Sequence, residues 1–242
     1  MINAQLQQSD ETVDQREHLV IVPTFWEWAA VRIGSPRVKL DSPPQLGAMP
    51  IQRTRIVSCG MGRIKAGRLA ASLNKQHVSE ISLLGVCGGL VPELNVGDIV
   101  CATSTLERSS GDEMSQLSTL IHDRYRYRIE SIASTNNCLV HFGAVFCSSR
   151  ISTASEKCDL ASESRAIAVE MESMPLAHWA KDALIPFNHV RVVIDAWDSQ
   201  PLMLSRPLEW FWEFNGFPKL REAYLALKTL HLLARGIGDP IS

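Results

Sequence analysis

Long apolar runs, paired cysteines, clustered histidines and an excess of one charge are all missing from this 242-residue chain. No stretch approaches the ~20 apolar residues that a membrane-spanning helix needs, so no membrane span is expected. Lysine and arginine number 24 against 26 aspartates and glutamates, a net charge of −2. That near balance gives no basic field to gather nucleic acid, which is not expected as a partner. The six cysteines, Cys59, Cys87, Cys101, Cys138, Cys147 and Cys158, contain no C-x-x-C pair. Most lie in or beside apolar strand-like runs, where a free thiol behaves as a small buried hydrophobe. A zinc site or disulfide framework is therefore not expected, and a reducing, cytoplasmic compartment is. The seven histidines are scattered without metal-ligand spacing. His178 and His189 are expected to be structural, and no metal is expected.

Hydrophobic residues at 45% and charged residues at 21% fit a globular domain. The polar, acidic segment 1–17 reads as a disordered leader and 18–242 as a single domain. Apolar runs alternate with helix-period segments, the mark of βαβ units and an α/β fold. The expected strands are Leu19–Pro23, Arg55–Cys59, Glu80–Val86, Asp98–Thr103, Ala144–Cys147, Ala166–Glu170 and His189–Asp195. The expected helices are Ile64–Asn74, Met114–Ser131, Glu172–Ala183 and Leu220–Arg235. Arg32 to Gln52, with four prolines and two glycines, reads as a loop or irregular hairpin. The basic and aromatic run Asp123 to Arg128 reads as an exposed helix edge rather than a nucleic-acid platform.

In parallel α/β sheets, ligands bind outside the carboxyl ends of the strands, and several expected strands end in residues suited to sugar and base chemistry. Cys59-Gly60-Met61-Gly62-Arg63 is a G-x-G turn into a helix, whose free N–H groups favour anions or hydroxyls. The third glycine of a dinucleotide fingerprint is missing, Lys65 standing in its place. Gly85-Val86-Cys87-Gly88-Gly89-Leu90 reads as a glycine turn where the backbone can approach a ligand. Val169-Glu170-Met171-Glu172 offers a carboxylate, whose two oxygens can both accept from vicinal hydroxyls. Beside it, Met171 makes a soft apolar floor for a sugar ring. The competing reading makes Glu172 an acid favoured by a helix dipole. Finally, Val190 to Asp195 is an apolar strand ending in an acid placed to protonate a leaving base.

In order, these segments resemble the purine and uridine phosphorylase superfamily, and within it the methylthioadenosine/S-adenosylhomocysteine nucleosidases. Met171-Glu172-Ser173, Gly143 to Lys157 and the leucine-rich helix after Gly216 also resemble the hopanoid-associated phosphorylase branch. The resemblance implies a three-layer α/β/α fold around a central mixed, partly barrel-like sheet, and a homodimer or higher homo-oligomer. It implies no cofactor, with phosphate possible as a co-substrate. Carried over by position, Met171 lies against the ribose, Glu172 binds its hydroxyls and Asp195 protonates the purine. Gly60, Gly62, Gly88 and Gly89 shape the sugar and nucleophile side, and Cys87 and Glu170 are further substrate-binding candidates. The water-activating acid of nucleosidases falls at Trp28 without gaps, with Glu27 one residue away, and Glu27 is taken for the role. Phe146, Trp197 and Phe25 are candidates to stack on the base. In the hopanoid branch the aromatic cluster Trp210 to Phe217 would meet a lipid.

The chain departs from nucleosidases at Val86 and Ile194, where they carry serines. It lacks the phosphate loop and phosphate-holding arginine of phosphorylases, since Leu83 and Val86 fall at the phosphate positions. The function expected is hydrolysis of the N-glycosidic bond of an adenine nucleoside with a 5′ substituent. Phosphorolysis and nucleoside binding without catalysis are the alternatives.

Overall fold

The computed structural model describes residues 16–34, 54–108, 113–119, 123–201 and 217–238. The segments called as a leader and as the loop around residue 40 lie almost wholly outside the described residues. So does the aromatic cluster, apart from the backbone of Phe217.

Eight strands form one mixed sheet: β1 Glu17–Val22, β2 Thr54–Ser58, β3 Val78–Gly89, β4 Ile99–Arg108, β5 Met114–Ser118, β6 Val140–Cys147, β7 Ala168–Glu170 and β8 Phe187–Asp195. The order is β2-β1-β3-β7-β6-β4-β5, and β8 pairs with both β3 and β4. Strands β3, β7, β6, β4 and β8 therefore close into a ring, while β1, β2 and β5 extend from it as open sheet. The helices among the described residues are α1 Phe25–Gly34, α2 Arg63–Ser72, α3 Asp123–Asn136, α4 Ala154–Ser164, α5 Ser173–Ala183 and α6 Phe217–Gly238.

Alternation along the central strands explains the layering. Leu19, Ile21, Ile81 and Leu83 meet Ala66, Ala70, Met174 and Ala177 of α2 and α5. Val20, Val22, Leu84 and Val190 point the other way, into Val31, Ile129, Ala226 and Leu230 of α1, α3 and α6. A strand covered on both faces is apolar at every position. Inside the ring, Cys87, Val100, Val145, Ala168 and Val193 pack together. The three-layer α/β/α fold with a partly barrel-like sheet is the architecture observed.

Three local expectations need correction. Met114–Ser131 is not one helix: Met114–Ser118 is β5, paired antiparallel with β4, and α3 begins at Asp123. Leu117 is buried between the exposed Gln116 and Ser118, the alternation of an edge strand. Gly88 and Gly89 are not a turn, since β3 runs through them and pairs them with Val169 and Ala168 of β7. Two helices, α1 and α4, lie where no helix was expected. Each starts at a Thr-x-x-Glu capping box, Thr24 to Glu27 and Thr153 to Glu156, with both reciprocal hydrogen bonds.

Candidate active site

The carboxyl ends of β1, β3, β7 and β8 surround a hollow of about 110 Å³. Glu27, Val86, Cys87, Gly88, Lys157, Glu170, Met171, Glu172, Ile194 and Asp195 are among its lining residues. A second cavity of about 340 Å³ adjoins it and shares Arg150 and Ser152. Together they reach the size usual for small-molecule sites.

Glu27 enters from the first turn of α1. Its Oε2 accepts the Thr24 N–H at 2.7 Å and its Oε1 accepts the Val86 N–H at 2.7 Å. The side chain is almost fully buried, and that burial raises its pKa against the opposing pull of the Thr24 hydrogen bond and of Arg191. Trp28 instead packs against the hydrophobic core.

Glu170 ends β7 and serves the helix that follows. It accepts the N–H groups of Glu172 at 2.9 Å and Ser173 at 3.0 Å, and it is ion-paired with Arg191. Burial opposes its charge, but Arg191 and these donors prevail and hold its pKa below the ordinary range. With Glu170 doing the capping, the side chain of Glu172 is released from its own helix, where it makes no cap hydrogen bond. It accepts the Gly62 N–H at 2.8 Å and faces Arg191 Nη2 at 3.2 Å. Burial, with Glu170 and Glu27 nearby, pushes the Glu172 pKa up to about 7 despite Arg191. Gly62 can offer its N–H because it turns the chain at φ +97°, a conformation that suits glycine. Met171 Cε lies 3.8 Å from where a Gly62 side chain would begin.

Arg191 holds this cluster from beneath, in the middle of β8 and fully buried. It donates through Nε to His189 Nε2 at 3.0 Å, and His189 in turn meets the Thr105 hydroxyl at 3.2 Å. Burial pushes the His189 pKa down to about 3, so its ring is a neutral link in the chain.

Asp195 ends β8 beyond a β-bulge: Cys87 pairs with Val193, but Gly88 pairs with Asp195, leaving Ile194 between. Bulges of this kind re-aim a side chain. Asp195 is buried and ion-paired with the equally buried Lys157 of α4. Lys157 Nζ also donates to the carbonyls of Ala196 at 2.8 Å and Ser199 at 3.4 Å. A side chain on Gly88 would start 2.9 Å from Asp195 Oδ1 and 3.1 Å from Lys157 Cε, so this glycine makes room for the pair.

Of the residues singled out from sequence, Glu27, Cys87, Gly88, Glu170, Met171, Glu172 and Asp195 line the hollow. Gly60, Gly62 and Gly89 are not among its lining residues. Phe146 is packed with Leu90, Leu106 and Val169 and faces the adjoining cavity, while Trp197 and Phe25 line neither. No aromatic ring is among the described residues lining the hollow itself. Its apolar surfaces come from Met61, Ile151, Val169, Met171, Ile194 and Pro201. Burial pushes the Cys87 thiol far up, so it supplies no thiolate. Sequence reasoning missed Lys157 and Arg191 as site residues. The signal for Arg191 was a lone charge inside the apolar run Val190 to Ile194; that for Lys157 was the capping box just before it.

Residues 51–206 match the family model described as the phosphorylase superfamily. No curated protein matches the chain. Among solved structures, a Helicobacter pylori 5′-methylthioadenosine/S-adenosylhomocysteine nucleosidase bound to a pyrrolidine ligand is similar, with TM-score 0.66 and 16% identity over 92% of this chain and 96% of that one. The Helicobacter pylori futalosine hydrolase gives TM-score 0.65 and 14% identity over 92% and 96%. A Neisseria meningitidis 5′-methylthioadenosine/S-adenosylhomocysteine nucleosidase with methylthio-immucillin-A gives 0.64 and 18% over 91% and 99%. At these identities the likeness is one of fold.

Proposed function

The chain belongs to the phosphorylase superfamily, and from that premise we propose that it hydrolyses the N-glycosidic bond of an adenine nucleoside carrying a 5′ substituent. The observation that carries this reading is the meeting of Glu27, Glu172 and Asp195, from three different elements, on one hollow. In this reading Glu172 accepts from the ribose hydroxyls and Met171 lies against the ring. Asp195 faces the base, and Glu27 takes the proton of the attacking water. A buried glutamate of raised pKa is suited to that last task, because a base works best near the ambient pH.

Water is favoured over phosphate by the state of the cations. Arg150 and Lys157 are the cationic residues described on the hollow, and each already faces a carboxylate, Glu156 and Asp195. Gathering a phosphate dianion would require such groups to be available. The adjoining cavity offers room for a 5′ substituent, and the match in fold to nucleosidases and futalosine hydrolase supports a nucleoside-sized substrate.

Incubation with methylthioadenosine, adenosine and inosine, each with and without phosphate, tests the proposal. Free adenine released without phosphate is expected. Release only with phosphate would make the protein a phosphorylase, and tight binding with no base released would make it a nucleoside-binding protein.

A further inference from the structure

The ion pair of Asp195 with Lys157 is that of a carboxylate with an ammonium. A carboxylate has no proton to give to a departing base. The base nevertheless needs one, because the electron pair of the broken C1′–N bond makes an unprotonated adenine a poor leaving group. The proton therefore has to come from the other member of the pair. Lys157 is held for this purpose by its surroundings. Its Nζ is enclosed by Asp195 and the carbonyls of Ala196 and Ser199, which together engage all three ammonium hydrogens. Gly88 leaves the space that the contact requires. Lys157 and Asp195 are both nearly inaccessible and both border the hollow.

We infer that Lys157 is the proton source for the leaving base, acting through Asp195. The inference rests on the hydrolytic reading above. As the glycosidic bond breaks, its electrons pass to the base. The base takes a proton from the Asp195 carboxyl, and that carboxyl has received it from Lys157 Nζ. Lysine is left as a neutral amine. The proton shed by the attacking water onto Glu27 is returned through solvent to restore the ammonium, so that water and nucleoside become sugar and base with no net proton. Lys157 is thus a positioning and proton-supplying residue, with Asp195 in contact with the base.

The test compares Lys157→Arg and Lys157→Met with the wild type over a range of pH, on whichever adenine nucleoside the wild type cleaves. Arginine keeps the charge but does not give up its proton. Lys157→Arg is therefore expected to lose about 10²–10⁴-fold in turnover, the scale of a missing general acid. Methionine removes the cation, so the buried Asp195 keeps its own proton in acid solution. Lys157→Met is expected to work there and to fade as pH rises. The Arg variant being slower than the Met variant at acid pH supports the inference. The Arg variant being as fast or faster, or both losing activity in parallel at every pH, overturns it, since a counter-ion or packing role predicts those results.

Where either variant fails to fold, the wild-type enzyme decides. Its alkaline limb should move to lower pH on warming, as an ammonium does, and an immovable limb overturns the inference. If the wild type releases no base at all, the hydrolytic reading itself falls and this inference with it.

Discussion

Gly85 stands opposite Arg191 in the ladder between β3 and β8, and a methyl group at 85 would occupy the space of the Arg191 guanidinium. The same methyl would lie 2.7 Å from Glu27 Oε1. Glycine at this position lets a large buried cation pass beneath the site. Gly85→Ala is expected to destabilise the protein by about 1–3 kcal/mol, the range for overpacking a core, and to lower turnover by displacing Arg191 and Glu27. Urea denaturation and steady-state kinetics check both parts. A variant with wild-type stability and rate would show that the guanidinium has room to move.

Arg191 is the buried counter-charge for Glu170 and Glu172, with Glu27 close enough to feel it. Removing it leaves these acids in the interior without a cation. Arg191→Met is expected to cost about 3–5 kcal/mol, as breaking one side of a buried pair does. Adding Glu170→Gln should restore part of the loss, because residues sharing one network do not add independently. Additive losses in the double variant would mean that Glu170 and Arg191 are not coupled.

The layers were legible in the sequence because buried strands carry a mostly apolar pattern, and residues 19–23 and 192–194 show it without help from tertiary context. Asp195 could be named because it ends such a strand, and Glu172 because it follows the end of one by two residues. Their partners were harder to see. Lys157 and Asp195 are distant in sequence, and only the ring closure of β3, β4, β6, β7 and β8 brings α4 beside the end of β8. Gly88 and Gly89 looked like a turn because glycine usually breaks strands, whereas here the absence of a side chain is what lets a strand run past an ion pair. The capping boxes at Thr24 and Thr153 were in plain view. Reading them would have found α1 and α4, and with them the setting of Glu27 and Lys157.

Glu172 gives the site a pH dependence. Its pKa of about 7 lies above the ordinary 4.5, mainly through burial. The folded protein therefore holds this proton more tightly than the unfolded chain, so stability from this group falls as pH rises from about 4.5 to about 7 and is level above. Binding runs the opposite way, since the ionised carboxylate is the better acceptor for two sugar hydroxyls. The expected result is that KM improves as pH rises through about 7, while the thermal midpoint declines from about pH 4.5 to about 7 and then levels off. Glu172→Gln should remove both trends and weaken substrate binding. If KM in that variant follows pH as in the wild type, another group governs recognition.

Glu27 is tested by a change that spares the sugar and base contacts. In Glu27→Gln one oxygen can still accept from the Thr24 or Val86 N–H, but the amide nitrogen must face the other donor. The unsatisfied contact is expected to cost about 1–3 kcal/mol in stability. Turnover should fall by about 10²–10⁴-fold, as when a general base is lost. KM should change little, because Glu172, Met171 and Asp195 are untouched. Added phosphate should not restore the rate, since phosphate carries its own negative charge and would have to displace Glu156 or Asp195 from Arg150 or Lys157. Normal turnover in Glu27→Gln, or rescue by phosphate, would remove Glu27 from the attack on the sugar and return the question of the nucleophile to the cations around the hollow.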